Sequence, residues 1–347
     1  ILGSMGFHIV LLLPPFPVPT THARMGRFGS PFASLDFTSV DPACAEFDGR
    51  TTPLEQFSEL ADAIHARNGR LFIDIPINHT GWASRLLQHH PEWFVRNPDG
   101  SFHSPGAWGV TWADLVELDY RHLPLWQEIA DVFLFWCRHG VDGFRCDAGY
   151  MIPLPVWEYL TARVRDEFPD TVFLLEGLGG PLKVTLDLLT RGGLDWAYSE
   201  LFQNHSRSAV DWYLPQALNA SNSHGLHVHY AETHDNERLA SRSESWARMR
   251  TALAALTSVQ GAWGITCGVE WFASERVLVH GASPLHPERA PGQEAAIATL
   301  NRLLSSHPAF AANATLRLLP VLGGEVIALL RSVPENPDAS LLVLVNL

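Results

Sequence analysis

An α/β fold built on a parallel sheet, either doubly wound or closed into a barrel, is the architecture this sequence predicts. Short apolar runs alternate with longer amphipathic stretches along nearly the whole chain, the pattern of repeated strand-helix units. Polar and charged residues gather just past the apolar runs: Asn78 and His79, Arg145 and Asp147, Glu176, His234 and Asp235. Both forms of parallel α/β fold place their chemistry at those carboxyl ends.

The strands are expected at 7–13, 70–77, 141–147, 171–176, 194–199, 226–232 and 264–270, each a short run rich in Val, Ile, Leu and Phe. Helices are expected near 53–68, 124–139, 153–168, 181–191, 206–219, 241–259 and 292–306. The first has Thr52 ahead of Pro53 and closes on Asn68-Gly69, which is start-and-stop chemistry. Residues 81–122 break the rhythm. They carry Trp82, Trp93, Phe94, Phe102, Trp108 and Trp112 among Gly, Pro and Asn, and form either a functional excursion or a small core of their own. After Pro308, "EVIALLRS" and "SLLVLVNL" flank "VPENPDA" and predict a hairpin opening an all-β domain.

Composition narrows the function classes. A chain of 347 residues with 46% hydrophobic and 18% charged residues can bury a large core. No apolar run reaches the roughly 20 residues of a membrane span, so no membrane partner is expected. A formal charge of −13 without a basic patch argues against nucleic acid and favours a neutral substrate. Cys44, Cys137, Cys146 and Cys267 show no paired spacing, which speaks against a zinc site or a disulfide framework and for a reducing compartment. The chain opens in mid-pattern, leaving room upstream for a leader.

The stretch "GVDGFRCDAG" (141–150) concentrates the chemistry. Residues two apart on a strand share a face, so Arg145 and Asp147 point the same way. The pair is either a structural ion bridge or a carboxylate kept ionised for nucleophilic attack. Glu176 closes the next strand in the apolar setting "VFLLEGLGG", where desolvation raises a carboxyl toward general-acid range, and Asp235 follows a later strand in "ETHDNERL". Three carboxylates converging from strand ends repel one another. They suit a positive transition state such as the oxocarbenium ion of glycoside cleavage.

"DIPINHTG" (74–81), "GFRCDAG" (143–149), "FLLEG" (173–177) and "THDN" (233–236) resemble, in order, the four short sequence regions of the α-amylase family of glycoside hydrolases; "WADLVELDY" (112–120) resembles a fifth. The resemblance implies a (β/α)8 TIM-type barrel, here lacking its first strand, over 1–80 and 123–312. It also implies a loop-rich inserted domain at 81–122 after the third strand and the start of a C-terminal all-β domain at 313–347. Asp147 would be the nucleophile, Glu176 the acid/base and Asp235 the transition-state stabiliser. Arg145, His79 and His234 match positions lining the sugar subsite, Phe32 stands where many members have a stacking tyrosine, and Asp74 matches an aspartate that supports the arginine. The implied activity is retaining cleavage of α-1,4-glucosidic bonds in glucans or maltooligosaccharides. A glucan transferase and a non-catalytic glucan-binding relative are the alternatives.

Within the family, "MGFHIVLLLPPFP" and "FWCRHGVDGFRCD" are similar to bacterial maltosyltransferases that use maltose 1-phosphate, whereas "HDN" is more like the hydrolases. A bacterial cytoplasmic protein, and a piece of a longer polypeptide, is expected. After Asp147, "AGYM" replaces a lysine-histidine pair that contacts sugar and helps hold calcium in many amylases; Asn78 matches a calcium ligand, but the rest of that site is missing. No calcium, other metal or cofactor is expected. "GLGGPL" lacks the last glycine of a phosphate loop, and His227 with His229 reads as packed histidines rather than metal ligands.

Overall fold

The computed structural model describes residues 3–281 and 292–347. They form two compact units, one of 8–195 with 279–281, the other of 3–7, 196–278 and 292–347.

In the first unit, β1 (Ile9–Leu12), β2 (Arg70–Ile75), β7 (Gly143–Cys146) and β8 (Val172–Leu175) pair in parallel in that order. Helices α1 (Pro53–His65), α3 (Leu123–Arg138), α4 (Leu154–Glu167) and α5 (Leu182–Thr190) separate or follow them. Helix α1 starts where the residues demand it. Thr52 Oγ1 accepts from the Glu55 N–H and Glu55 Oε2 accepts from the Thr52 N–H, a complete capping box ahead of Pro53. It ends three residues before Asn68, whose positive φ of 56° turns the chain into Gly69 and β2. Between sheet and helices, Phe133 of α3 packs edge-on against Phe144 at 4.7 Å and Phe173 at 5.5 Å, which locks β7 and β8 to α3.

Residues 79–117 build two small antiparallel pairs: β3 (His79–Gly81) with β6 (Leu115–Glu117), and β4 (Gly106–Ala107) with β5 (Val110–Thr111). A short helix, α2 (Arg85–His89), follows β3. The rings of this segment divide. Trp93 and Phe94 are buried and Phe102 packs beside Phe94 and Trp82, whereas Trp108 at the β4–β5 tip is 75% exposed.

The second unit holds the parallel strands β9 (Trp196–Tyr198), β10 (Leu226–Tyr230) and β11 (Trp263–Gly264), with helix α6 (Arg207–Ser223) between the first two. The single helix expected over 241–259 is two, α7 (Leu239–Arg242) and α8 (Glu244–Thr257), because Ser243 is extended and its Oγ caps α8 at the Trp246 N–H. The strand expected over 264–270 stops at Gly264; Gly268 at φ 101° and Phe272 at φ 58° instead bracket a 3-10 turn. Helix α9 (Glu294–Ser306) precedes a three-stranded antiparallel sheet of β12 (Thr315–Leu319), β13 (Val326–Ser332) and β14 (Leu341–Asn346). The expected hairpin is β13–β14, and β12 is an added strand. Ile327, Leu329, Val343 and Val345 bury their side chains with Val210, Leu214 and Leu253 of α6 and α8. Among the described residues no helix is long and apolar enough to cross a membrane.

Candidate active site

The carboxyl ends of three neighbouring strands bring four of the singled-out side chains together. Parallel register sets Asp74 of β2 directly beside Arg145 of β7, and Arg145 beside Leu174 of β8. Arg145 Nη1 donates to Asp74 Oδ2 at 2.5 Å and to Asp147 Oδ1 at 2.8 Å. One guanidinium thereby holds the fully buried Asp74 on one side and the partly exposed Asp147 on the other. The backbone keeps the same order past the strands, with the Asp147 N–H bonded to Ile75 O and the Glu176 N–H to Cys146 O.

Glu176 is 8% exposed and accepts two backbone hydrogen bonds: Oε2 from Ala148 N–H and Oε1 from Leu178 N–H, both at 2.9 Å. Burial pushes its carboxyl up to about 7, helped by the negative charge of Asp147 and opposed by Arg145 and the two N–H groups. Burial likewise raises Asp74 well above the ordinary carboxylate range, against the pull of Arg145. Three carboxyls around one guanidinium cannot all stay ionised at low cost, so protons collect on the buried ones.

His79 on β3 is also buried, and its Nε2 has no hydrogen-bond partner among the described residues. Burial lowers its pKa to about 4 although Asp147 pulls the other way, so the ring is neutral and its open nitrogen is a ready contact for a polar ligand. Phe32 is half-buried, and its backbone lies within reach of the His79 ring. Asn78 is buried and turns its amide to the Met151 sulfur at 3.6 Å and to His79 Nδ1 at 3.5 Å. A calcium ion needs six or more oxygen donors, and the Met151 thioether beside the Asn78 amide nitrogen supplies none of them.

Tyr150 was not singled out by sequence. It stands close enough to Glu176 and Asp147 for burial and their charges to raise its phenol, and it packs on Gly180. The only sequence signal for it was "AGYM" as a departure from the family pattern.

His234 and Asp235 belong to the second unit, just past β10. Asp235 is largely exposed and its Oδ2 lies 3.4 Å from His234 Nε2; Arg276 donates to the Asp235 carbonyl at 2.8 Å. His227 and His229 are each satisfied locally, the first at the Gly225 carbonyl and the second at Ser199 Oγ, and burial lowers His229 to about 3. Among the described residues no group of three or more His, Cys, Asp or Glu side chains is placed to hold a metal ion.

With this geometry in hand, comparison with known proteins is informative. Residues 4–173 match the family profile described as alpha amylase, catalytic domain. The α-1,4-glucan:maltose-1-phosphate maltosyltransferase of Cereibacter sphaeroides is 26% identical over 369 residues, covering 96% of this chain and 52% of that protein. The Pseudomonas aeruginosa enzyme of the same name is 29% identical over 337 residues, covering 89% of this chain and 49% of that protein. The chain thus spans about half the length of these curated relatives. In three dimensions it is similar to an α-amylase of Lactobacillus plantarum, with a TM-score of 0.80, 24% identity, and coverage of 96% of this chain and 79% of that one. A maltogenic α-amylase of Thermotoga neapolitana gives a TM-score of 0.78 at 21% identity, covering 99% of this chain and 79% of that one. These two likenesses establish the fold as the barrel-type α/β fold of α-amylases.

Proposed function

Because the chain belongs to the α-amylase family of glycoside hydrolases and transferases, we propose that it cleaves α-1,4-glucosidic bonds of glucans or maltooligosaccharides with retention of configuration. Asp147 attacks the anomeric carbon while Glu176 protonates the leaving oxygen; an acceptor then releases the covalent glycosyl-enzyme, with Glu176 returning as base. One observation carries the reading: Glu176 is buried and pushed up to about 7, so that its carboxyl exchanges a proton near neutral pH beside an Asp147 that is bonded to Arg145. Arg145 keeps Asp147 in place and Asp74 keeps Arg145 in place. His79, His234 and Phe32 are assigned to the sugar in the donor position, and Asp235 to the developing positive charge.

Water is the acceptor in the first reading, which the hydrolase-like "THDN" supports. The names of the curated relatives favour a second, in which a maltosyl unit passes to a glucan hydroxyl or is exchanged with phosphate. No calcium is assigned at Asn78, where the Met151 thioether stands in place of an oxygen donor.

Incubation with maltoheptaose, with and without orthophosphate, separates these readings. Shorter sugars alone mean hydrolysis, a ladder extending above the substrate means transfer, and maltose 1-phosphate means phosphate exchange. An unchanged substrate removes the catalytic reading and leaves a glucan-binding module.

A further inference from the structure

Glu232 lies two residues past β10, Arg238 is the N-cap of α7, and the turn between them carries His234 and Asp235. The Asp235 side chain is 61% exposed, so its direction is set by the backbone of this turn rather than by packing. Glu232 and Arg238 are the opposite case: both are charged and both are buried. They meet across the base of the turn. Arg238 Nε stands 3.0 Å from Glu232 Oε1 as an ion pair, and the Leu239 N–H donates to Glu232 Oε2 at 2.6 Å. One carboxylate thus grips both residues at the far end of the turn. The base is anchored in turn to the segment after β11, where Thr266 Oγ1 donates to the Glu232 carbonyl at 2.9 Å and Arg238 Nη2 donates to the Cys267 carbonyl at 2.8 Å. Gly268 leaves the room for this, because a Cβ there would lie 2.1 Å from Arg238 Nη2. Inside the turn, Thr233 Oγ1 donates to Asn236 Oδ1 at 2.5 Å and accepts from the Asp235 N–H at 3.4 Å. All of these residues belong to the second unit.

We propose that Glu232 and Arg238 are positioning residues for Asp235: a buried ion pair that closes the base of the turn and fixes where the exposed Asp235 carboxylate stands. This deepens, and rests on, the assignment of Asp235 to the developing positive charge. A buried ion pair gives little net stability, because desolvation of the two charges offsets their attraction. Its charge-assisted, directional contacts do admit few arrangements, so what this pair supplies is geometry. Geometry is what an exposed carboxylate lacks. A displacement of about 1 Å at a group that acts on the transition state can cost on the order of a hundredfold in rate.

The test uses the whole chain with Glu232→Gln and Arg238→Lys, each alone and each combined with Asp235→Asn, assayed on maltoheptaose. Glutamine keeps an acceptor for the Leu239 N–H, and lysine keeps a positive charge facing Glu232. Glu232→Gln should lose roughly tenfold or more in kcat with KM little changed, and Arg238→Lys should lose less. The deciding readout is the double variant: once Asp235 is Asn, adding Glu232→Gln should cost under about twofold, because the group it positions is gone. Losses that multiply in the double variant, or a rise in KM with kcat intact, overturn the proposal. Should Glu232→Gln fail to fold, the same cycle is read from Arg238→Lys. Amide hydrogen exchange followed by mass spectrometry separates this from failure of the underlying chemistry, since it needs no turnover. Exchange over 233–239 should quicken in both single variants while the rest of the chain is unchanged. An inactive wild type that shows this local change keeps the clamp on the turn and removes the catalytic reading, and exchange that ignores both substitutions removes the clamp.

Discussion

Ala148, one residue beyond Asp147, donates its backbone N–H to Glu176 Oε2 at 2.9 Å. The proposed nucleophile and the proposed acid are thus joined through a single main-chain group, and that group sits in a left-handed residue at φ 47°, ψ 29°. Glycine fits this conformation without strain and keeps the N–H; proline demands φ near −65° and has none. Ala148→Gly should therefore be as active as wild type and equal to it or more stable by up to about 1 kcal/mol. Ala148→Pro should lose activity and move the alkaline limb of the pH–rate profile upward, since one hydrogen bond that favours the Glu176 carboxylate is gone. Unchanged profiles for both variants would remove the Ala148 N–H from any role.

An acid with its pKa at about 7 predicts an activity that declines as pH rises through that value. Asp74 tests its own protonation. It is fully buried against Arg145, and burial raises its carboxyl well above the ordinary range. Because the buried Asp74 holds its proton, Asp74→Asn removes no charge from the neighbourhood of Glu176, and the alkaline limb should stay at about 7. The same change frees Arg145 from its 2.5 Å partner and should lower kcat more than it alters KM. A limb that moves to lower pH would mean that Asp74 is ionised in the wild type.

How far the sequence alone leads depends on which atoms do the work. Strands β2, β7 and β8 are legible because each is a largely buried, mainly apolar run, and the charged residues in and just past them stand out against it. Asp74 and Arg145 are 71 residues apart, and only the parallel register of β2 and β7 makes them neighbours. Strand β12 escaped because "TLRLL" is half exposed and has neither a buried run nor clean alternation. The division of α7 from α8 rests on one serine that reads equally as surface or cap. The Ala148 and Leu178 N–H groups are invisible to any reading of side chains. So is the seating of Arg238 on Gly268, where the informative feature is an absent Cβ.

Removal of divalent metal should leave the fold and the rate intact. The Asn78 amide nitrogen donates to the Met151 sulfur, and a calcium ion at Asn78 Oδ1 would have to find five or more further oxygens. Melting temperature and maltooligosaccharide turnover measured with and without EDTA should coincide. A fall in melting temperature restored by calcium and not by magnesium would contradict this reading of Asn78.

Buried histidines and buried carboxyls make opposite contributions to stability as pH falls. His79 and His229 are buried and neutral, with pKa values lowered from 6.5 to about 4 and about 3. A histidine with a depressed pKa contributes stability that is complete above 6.5 and lost as pH falls toward its folded value, about 3 to 5 kcal/mol for shifts of this size. Glu176 acts in the opposite sense: its raised pKa adds stability that is complete below 4.5 and lost as pH rises through about 7. Asp74, also raised by burial, acts in the same sense as Glu176, so each contribution is read from a variant rather than from the net slope. Relative to wild type, the urea midpoint of His229→Asn should lose less, and that of Glu176→Gln should lose more, between pH 6.5 and pH 4; an unchanged slope in His229→Asn would show that His229 does not titrate on unfolding.

Acid and nucleophile are told apart by the leaving group. If Glu176 donates a proton to the departing oxygen, Glu176→Gln should lose at least about a hundredfold in kcat on maltooligosaccharides, whose alkoxide cannot leave unprotonated. Fluoride leaves without a proton, so the same variant should still form a glycosyl-enzyme from α-maltosyl fluoride. Asp147→Asn should fail on both substrates because no carboxylate remains to attack the anomeric carbon. Asp235→Asn should slow both while the protein stays folded: its side chain is largely exposed, beside His234 of the same turn, so little stability rests on it. Trapped intermediate, followed by mass spectrometry, is the measurement. Loss of the fluoride and oligosaccharide reactions to the same extent in Glu176→Gln would withdraw Glu176 as the acid, and the raised carboxyl between Ala148 and Leu178 would then be a structural proton alone.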